Sequence, residues 1–379
     1  MIPGLGAKLR RVDRPTLLLT ITLCGLGLAA IASASADEGR LASGQAKILL
    51  LGAVALVPMT LIPYQRLLRY APAAYLALVG ALVAVLFVGP VINGSQRWLR
   101  AFGFVLQPSE PLKVVLVAAL ARALRFGRDL SSVRRWGPPL LTALIPMALT
   151  ARQPDLGTSL LFAPTALAML FVAGIPWRAV LALGGLGVAF AVAAFFFLLL
   201  PYQRERVLST VFHERLADYE KAREGYQLGQ SLLAVQSGGF AGAGWGKGPV
   251  TQSGRLPYCY SDFVFAAVSE EFGFVGAAGT LALLVLLVGA TWRVALLTRD
   301  PSGRLLCVGV GTLIAAQSAV NVGVSLGVAP TTGMPLPFVS HGGSSLFTFL
   351  MGVGLVLNVS VHRAGGPGLL AGDRRADAG

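Results

Sequence analysis

Apolar residues in this chain come in long, nearly unbroken runs, not in the short alternating stretches of a soluble sheet protein. The first occupies 16–36. Others follow at 46–62, 73–91, 111–126, 138–151, 156–174, 177–200, 263–292, 305–328 and 344–362. A helix needs roughly 20 apolar residues to cross a hydrocarbon core about 30 Å thick, and most of these runs approach or exceed that length. The pattern therefore predicts an all-α polytopic membrane protein with about ten transmembrane helices. It reads as one integral-membrane domain, 1–379, with an N-terminal segment 1–15, a large polar connection 201–262 before the eighth helix, and a tail 363–379. The first run has a rival explanation. Basic residues, an apolar stretch and Ala34-Ser35-Ala36 also fit a cleaved signal peptide, although the run is long enough to span.

Composition agrees with this reading. The chain is 55% hydrophobic and 13% charged, against about 25% charged in soluble domains. The net charge of +14 lies between the apolar runs, so it reads as topology signal and anionic-lipid contact, not as a nucleic-acid surface. Alternate connections are rich in arginine: Arg66 and Arg69, then Arg125, Arg128, Arg134 and Arg135, then Arg178, then Arg293, Arg299 and Arg304. The intervening short connections carry only Arg40, Arg97, Arg100 and Arg152. Both termini are therefore expected in the cytoplasm, and 201–262 outside. Cys24, Cys259 and Cys307 are scattered, with no CxxC or zinc-ligand spacing.

Chemistry gathers in the exterior connections. Ser109 is a candidate N-cap, with Pro111 in the first helical turn and Glu110 and Lys113 spaced to pair on one face. That pair either pins the fourth helix or positions a substrate. Asp155 is expected to cap the sixth helix. The connection 330–345, PTTGMPLPFVSHGGSS, has three prolines and cannot be regular helix, so it needs protein burial or a wet cavity. The glycine-rich stretch Gly242–Gly248 lacks the spacing of a phosphate loop, which removes an ATPase. Residues 204–224 suggest an interfacial helix, Phe195-Phe196-Phe197 a lipid-facing or core run, and Gln317 with Asn321 interhelical hydrogen bonding. Stretch 225–276 runs from an amphipathic segment through the glycines to Ser261-Asp262-Phe263. A lone carboxylate at the start of an apolar helix is either functional or an N-cap.

NGSQRW (93–98), QPSEPLK (107–113), QPDLGTSLL (153–161), GYQLGQSLLAVQSGG (225–239), LPYCYSDFVFAAVSEEFGFVG (256–276) and NVGVSLGVAPTTGMPLPFVSHGGSS (321–345) stand in this order. Together they resemble the RodA/FtsW (shape, elongation, division and sporulation) family of peptidoglycan glycosyltransferases. Thr251-Gln252, the QPDLGT wording and Gly333-Met334-Pro335-Leu336-Pro337 favour the RodA branch. Two positions depart from the family pattern: Tyr258 stands where glutamate is usual, and His341 where tyrosine is common.

The resemblance implies a bacterial cytoplasmic (inner) membrane enzyme of cell elongation and shape. It would polymerise lipid II, and undecaprenyl-diphosphate-linked glycan, beside a class B penicillin-binding protein that cross-links the peptides. Such a transfer needs a base for the acceptor hydroxyl and cations for the departing diphosphate. Asp262 is the expected base. Arg97, Lys113, Arg204, Lys247 and Arg255 are candidates for the diphosphate and head groups. Trp98 could stack on a sugar, Glu110 could help position the acceptor, and Ser340 and His341 complete the expected substrate-binding set. No metal site or cofactor is predicted, although Glu270 and Glu271 beyond Asp262 leave a divalent cation open. The rival functions are a lipid II flippase, which would favour charges near the bilayer midplane, and a non-catalytic scaffold for the cross-linking partner.

Overall fold

A computed structural model describes residues 8, 10–34, 39–92, 95–101, 104–125, 132–197, 199, 203–204, 207–208, 210 and 223–363. Its helices are α1 (Arg14–Ala34), α2 (Arg40–Leu61), α3 (Tyr64–Val88), α4 (Ser109–Leu124), α5 (Val133–Arg152), α6 (Leu156–Ala173) and α7 (Trp177–Phe197). After the outer connection come α8 (Arg223–Ser237), α9 (Pro249–Gln252), α10 (Val264–Leu296), α11 (Pro301–Ser325) and α12 (Gly343–His362). Every predicted apolar run falls on one of these helices, although α10 is broken part-way along. Eight of these are long and apolar enough to cross a membrane. The other two predicted spans are α4, only 16 residues long, and α5, which carries Pro138, Pro139 and Pro146. The proposed interfacial helix at 204–224 falls largely outside the described residues.

The connection between α3 and α4 is not purely irregular. It forms two short antiparallel hairpins, β1 (Val91–Ile92) with β2 (Ser95–Gln96) and β3 (Leu99–Ala101) with β4 (Phe104–Leu106). The expected N-cap at Ser109 is corrected too. Pro108 is the capping residue, Ser109 is already helical, and no side chain caps the helix.

Most of α11 and α12 lies in the interior, packed against α4, whereas α7 has no buried residue and its Phe196 and Phe197 face outward. Lipid tails offer no hydrophobic drive between helices, so close packing must supply it. At Gly309 of α11, an added Cβ would stand 2.5 Å from Val117 and 2.8 Å from the Met169 sulfur, so only hydrogen lets α4, α6 and α11 approach this closely.

The predicted span 263–292 is not one continuous helix. At Gly273 the backbone of α10 turns to φ 65° and ψ −162°, which breaks the helical ladder. The glycine-rich connection after α8 fills the break. The N–H groups of Ala243 and Gly244 donate to the carbonyls of Glu270 and Glu271 at 3.0 and 2.9 Å. The N–H groups of Phe274 and Val275 donate to the carbonyls of Gly239 and Phe240 at 2.8 and 3.2 Å. A broken helix is stable in a bundle only if its freed backbone groups find partners, and here a loop provides them.

Candidate active site

Asp262 lies in a turn whose geometry begins four residues earlier. Tyr258 has φ 56°, and its carbonyl faces the N–H groups of Ser261, Asp262 and Phe263 at 3.0, 3.1 and 3.3 Å. That convergence ends the turn and starts α10. The N-cap position of α10 is Phe263, so Asp262 stands one residue before the cap its position also allowed. The Asp262 side chain is half-buried, and its Oδ2 lies 3.6 Å from the point where a Cβ on Gly333 would be.

Gly333 belongs to the proline-rich connection between α11 and α12, which covers the turn. Polar contacts hold the two together. The Asn321 amide on α11 donates to the carbonyls of Asp262 (2.9 Å) and Met334 (2.7 Å). The Ser340 hydroxyl donates to the Ser261 carbonyl and accepts from the Leu336 N–H at 2.7 Å. The His341 N–H donates to the Tyr260 carbonyl at 2.8 Å, and the two rings meet edge to face with centroids 6.0 Å apart. The bundle thus supplies the burial that irregular backbone requires. Ser340, expected to touch substrate, spends its hydroxyl on the backbone. His341 is half-buried, and burial holds its imidazole below its usual pKa.

Glu110 and Lys113 do pair, as their spacing predicted, and the pair is buried within the bundle at the start of α4. Lys113 Nζ lies 2.9 and 2.8 Å from the two Glu110 carboxylate oxygens, donates to Gln317 Oε1 at 2.9 Å, and stands 5.2 Å from the Phe349 ring centre. Lys113 is 1% exposed and Glu110 5%. Gln317 passes the linkage on by donating to the Pro335 carbonyl at 2.8 Å. The two amides expected to join helices therefore hang the proline-rich connection from α11.

Arg97 is engaged with α6. Its guanidinium donates to the Pro154 carbonyl at 2.6 Å and lies 3.6 Å from Asp155 Oδ1. Asp155 caps α6 as expected, accepting from the Thr158 N–H at 3.3 Å and from Gln107 at 2.9 Å. A Cβ on Gly157 would meet Thr332 and Met334 at 3.0 and 2.9 Å, so this cluster adjoins the residues flanking Gly333. Trp98 is half-buried beside it. Lys247 and Arg255 are exposed on the connection leading to Asp262. Arg204 donates to the Phe196 carbonyl at the end of α7, and no described contact links it to Asp262.

Glu270 and Glu271 are framework. Glu270 is 0% exposed and accepts from Val250 N–H (2.6 Å), Thr251 N–H (2.9 Å), Thr251 Oγ1 (2.5 Å) and Ser237 Oγ (3.1 Å). Glu271 accepts from the Ser33 hydroxyl of α1 and from Gln252 at 3.4 Å. Together they bind α8, α9 and α1 around the first half of α10. Among the described residues, no three or more His, Cys, Asp or Glu side chains are grouped to hold a metal ion.

Residues 14–365 match the family model for the cell cycle proteins FtsW, RodA and SpoVE. The chain belongs to the FtsW/RodA/SpoVE family. It is 34% identical over 352 residues to the peptidoglycan glycosyltransferase MrdB of Escherichia coli K12, covering 93% of this chain and 94% of that one. It is also 34% identical over 373 residues to a probable peptidoglycan glycosyltransferase FtsW of Geobacter metallireducens, covering 95% and 97%. Among solved structures, a chain from a peptidoglycan synthase complex described as coordinating polymerization and crosslinking superposes with a TM-score of 0.80 at 34% identity, covering 94% of this chain and 99% of that one. The rod shape determining protein RodA of Thermus thermophilus superposes with a TM-score of 0.71 at 32% identity, covering 94% and 98%.

Proposed function

We propose that this protein is a peptidoglycan glycosyltransferase that polymerises lipid II into glycan strands at the outer face of the bacterial cytoplasmic membrane, with Asp262 as general base. The observation that carries the mechanism is the placement of Asp262. Its carboxylate stands at the head of α10, and one oxygen faces a position kept free of any side chain by Gly333. Family membership and the named relatives support the reaction class.

In the proposed step the acceptor hydroxyl gives its proton to Asp262 as its oxygen bonds to the anomeric carbon of the donor. The bond from that carbon to the diphosphate breaks, the leaving group takes both electrons, and the configuration inverts. A diphosphate needs little acid assistance but does need positive charge. Lys113 and Arg97 neutralise Glu110 and Asp155, so they act by shaping the site. Lys247 and Arg255 are exposed and make no ion pair among the described residues, which suits them to receive the diphosphate. In this scheme Trp98 borders the acceptor, and Ser340 and His341 fix the connection above the base.

The solved complex that couples polymerization with crosslinking supports a class B penicillin-binding protein as partner. The RodA-like wording around Thr251-Gln252 supports a role in cell elongation. The arginine distribution supports cytoplasmic termini.

The test is Asp262→Asn, assayed with lipid II and the cognate partner in detergent, where no leaflets exist. A glycosyltransferase makes strands there and a flippase makes none. Wild-type protein is expected to polymerise. The variant is expected to produce no strands while its thermal unfolding in detergent stays unchanged. Full activity in the variant would remove Asp262 as base, and no polymer from wild type would favour transport.

A further inference from the structure

The end of the bundle farthest from Asp262 carries a second charged feature. A cavity of about 490 Å³ opens between the start of α1, the last turn of α10 and the end of α12. Its charged lining is Arg10, Arg11, Asp13, Arg14, Arg293 and Arg363. Arg293 is 20 residues beyond the break at Gly273, which along the second half of α10 is on the order of 30 Å.

Five arginines thus face one carboxylate, and that carboxylate is already committed. Asp13 Oδ2 caps α1, accepting from the Thr16 N–H at 3.1 Å and its hydroxyl at 2.8 Å, while Oδ1 pairs with Arg293. The Asp13 N–H is held by the Ser360 hydroxyl of α12 at 3.1 Å. Among the described residues, Arg10, Arg11, Arg14 and Arg363 make no ion pair, and all four are exposed. Guanidinium groups gathered around one cavity repel one another unless an anion is present, and their planar donor pairs match phosphate oxygens.

The position selects the kind of phosphate. Arg14 opens one span, Arg293 closes another and Arg363 directly follows a third, so all lie at the depth of lipid head groups. On the bilayer side of them Leu18 of α1 (61% exposed) and Leu286 of α10 (58% exposed) offer outward apolar surface for acyl chains. A free phosphate ion would use the arginines and leave that surface unused.

We infer that this cavity binds the phosphate of an anionic phospholipid in the leaflet opposite the one that Asp262 faces. The protein would then be anchored, and its α1–α10–α12 junction clamped, by a lipid at the end remote from catalysis.

Lipid retention tests this without reference to polymer synthesis, so its outcome is separable from that of the catalytic proposal. The full protein is reconstituted with equal phosphatidylglycerol and phosphatidylcholine, extracted in neutral detergent, and the retained lipids are measured by native mass spectrometry. Wild type is expected to keep phosphatidylglycerol in preference, and added salt to weaken that preference. Arg10→Gln combined with Arg363→Gln is expected to lower it by about tenfold. Neither side chain has a described partner to lose, so thermal unfolding in neutral detergent should match wild type and confirm folding. Equal retention of the two lipids by wild type, or undiminished preference in the folded variant, would overturn the proposal. Displacement of the lipid by an equal concentration of inorganic phosphate would overturn it as well, in favour of a simple anion site.

Discussion

Gly333 stands at φ 68° with the Asp262 carboxylate beside it, so the connection between α11 and α12 needs glycine there for its backbone conformation. An L-residue in that conformation costs roughly 1–2 kcal/mol, and a methyl group would also stand 3.6 Å from Oδ2. Gly333→Ala is therefore expected to lower stability by about 1 kcal/mol and to slow polymerisation disproportionately, read as a fall in kcat beyond what the folded fraction explains. The Glu110–Lys113 pair allows a sharper stability test. Lys113→Met would leave a carboxylate buried without its cation, at a cost of about 3–5 kcal/mol, and adding Glu110→Leu should recover most of the loss. Thermal inactivation of the two variants in detergent decides this, and no recovery would mean that Lys113 matters for more than neutralising Glu110. His341 adds a pH dependence. Its folded pKa lies below the value of about 6.5 for the unfolded chain, so the unfolded state takes up its proton first as pH falls. Its contribution should be flat above about pH 7 and become destabilising below about pH 6.5. His341→Gln should flatten that acid limb in a melting-temperature profile. At this scale the sequence was readable where a residue was anomalous in its surroundings. A lone Asp262 ahead of FVFAAV, or Asp155 before LGTS, announces itself. Ser340 did not, because a serine among SHGGSS gives no sign that its hydroxyl will be used by Ser261 and Leu336.

Eight of the ten expected spans were legible because length and apolarity alone decide what can cross a bilayer. The break in α10 was not. Gly273 sits in FGFVGAAG, where small residues are ordinary for a packed membrane helix, and nothing local says that distant Ala243 and Gly244 will take the carbonyls of Glu270 and Glu271. The break is a tertiary fact, and it gives two glycines of the same helix opposite expectations. Gly273→Ala would place a Cβ 2.4 Å from the Gly242 nitrogen, in a backbone conformation reserved for glycine. The conformation alone costs about 1–3 kcal/mol and the overlap adds to it. Gly289, in the regular part of α10, has nothing within 4 Å of an added Cβ, so Gly289→Ala should be neutral or stabilise by up to about 1 kcal/mol. Melting temperatures of the two variants should move apart. If Gly273→Ala unfolds like wild type, the inserted loop does not depend on the break.

Taken as a whole, the molecule separates two kinds of charge. Near Asp262 the charges are mostly buried, paired and few, and they serve to shape irregular connections. At the opposite end they are arginines in excess, exposed around the start of α1 and the end of α12. Such a gradient orients a bundle in a membrane, because basic connections are retained on the cytoplasmic side. It predicts a definite pattern of chemical access. The native thiols give little background, since Cys24, Cys259 and Cys307 are all buried and burial pushes the Cys259 thiol up to about 11. Single added cysteines can therefore report sidedness. Ser253, exposed between α9 and Asp262, and Arg363, exposed just beyond α12, lie at opposite ends of the bundle. With Ser253→Cys, a membrane-impermeant maleimide should label intact cells stripped of their outer layers. With Arg363→Cys, it should label only after the membrane is opened. The reverse pattern would put Asp262 on the cytoplasmic side, where a base for extracytoplasmic strand synthesis would have no substrate. Labelling at both sites in sealed cells would mean instead that one of the spans between α10 and α12 does not cross.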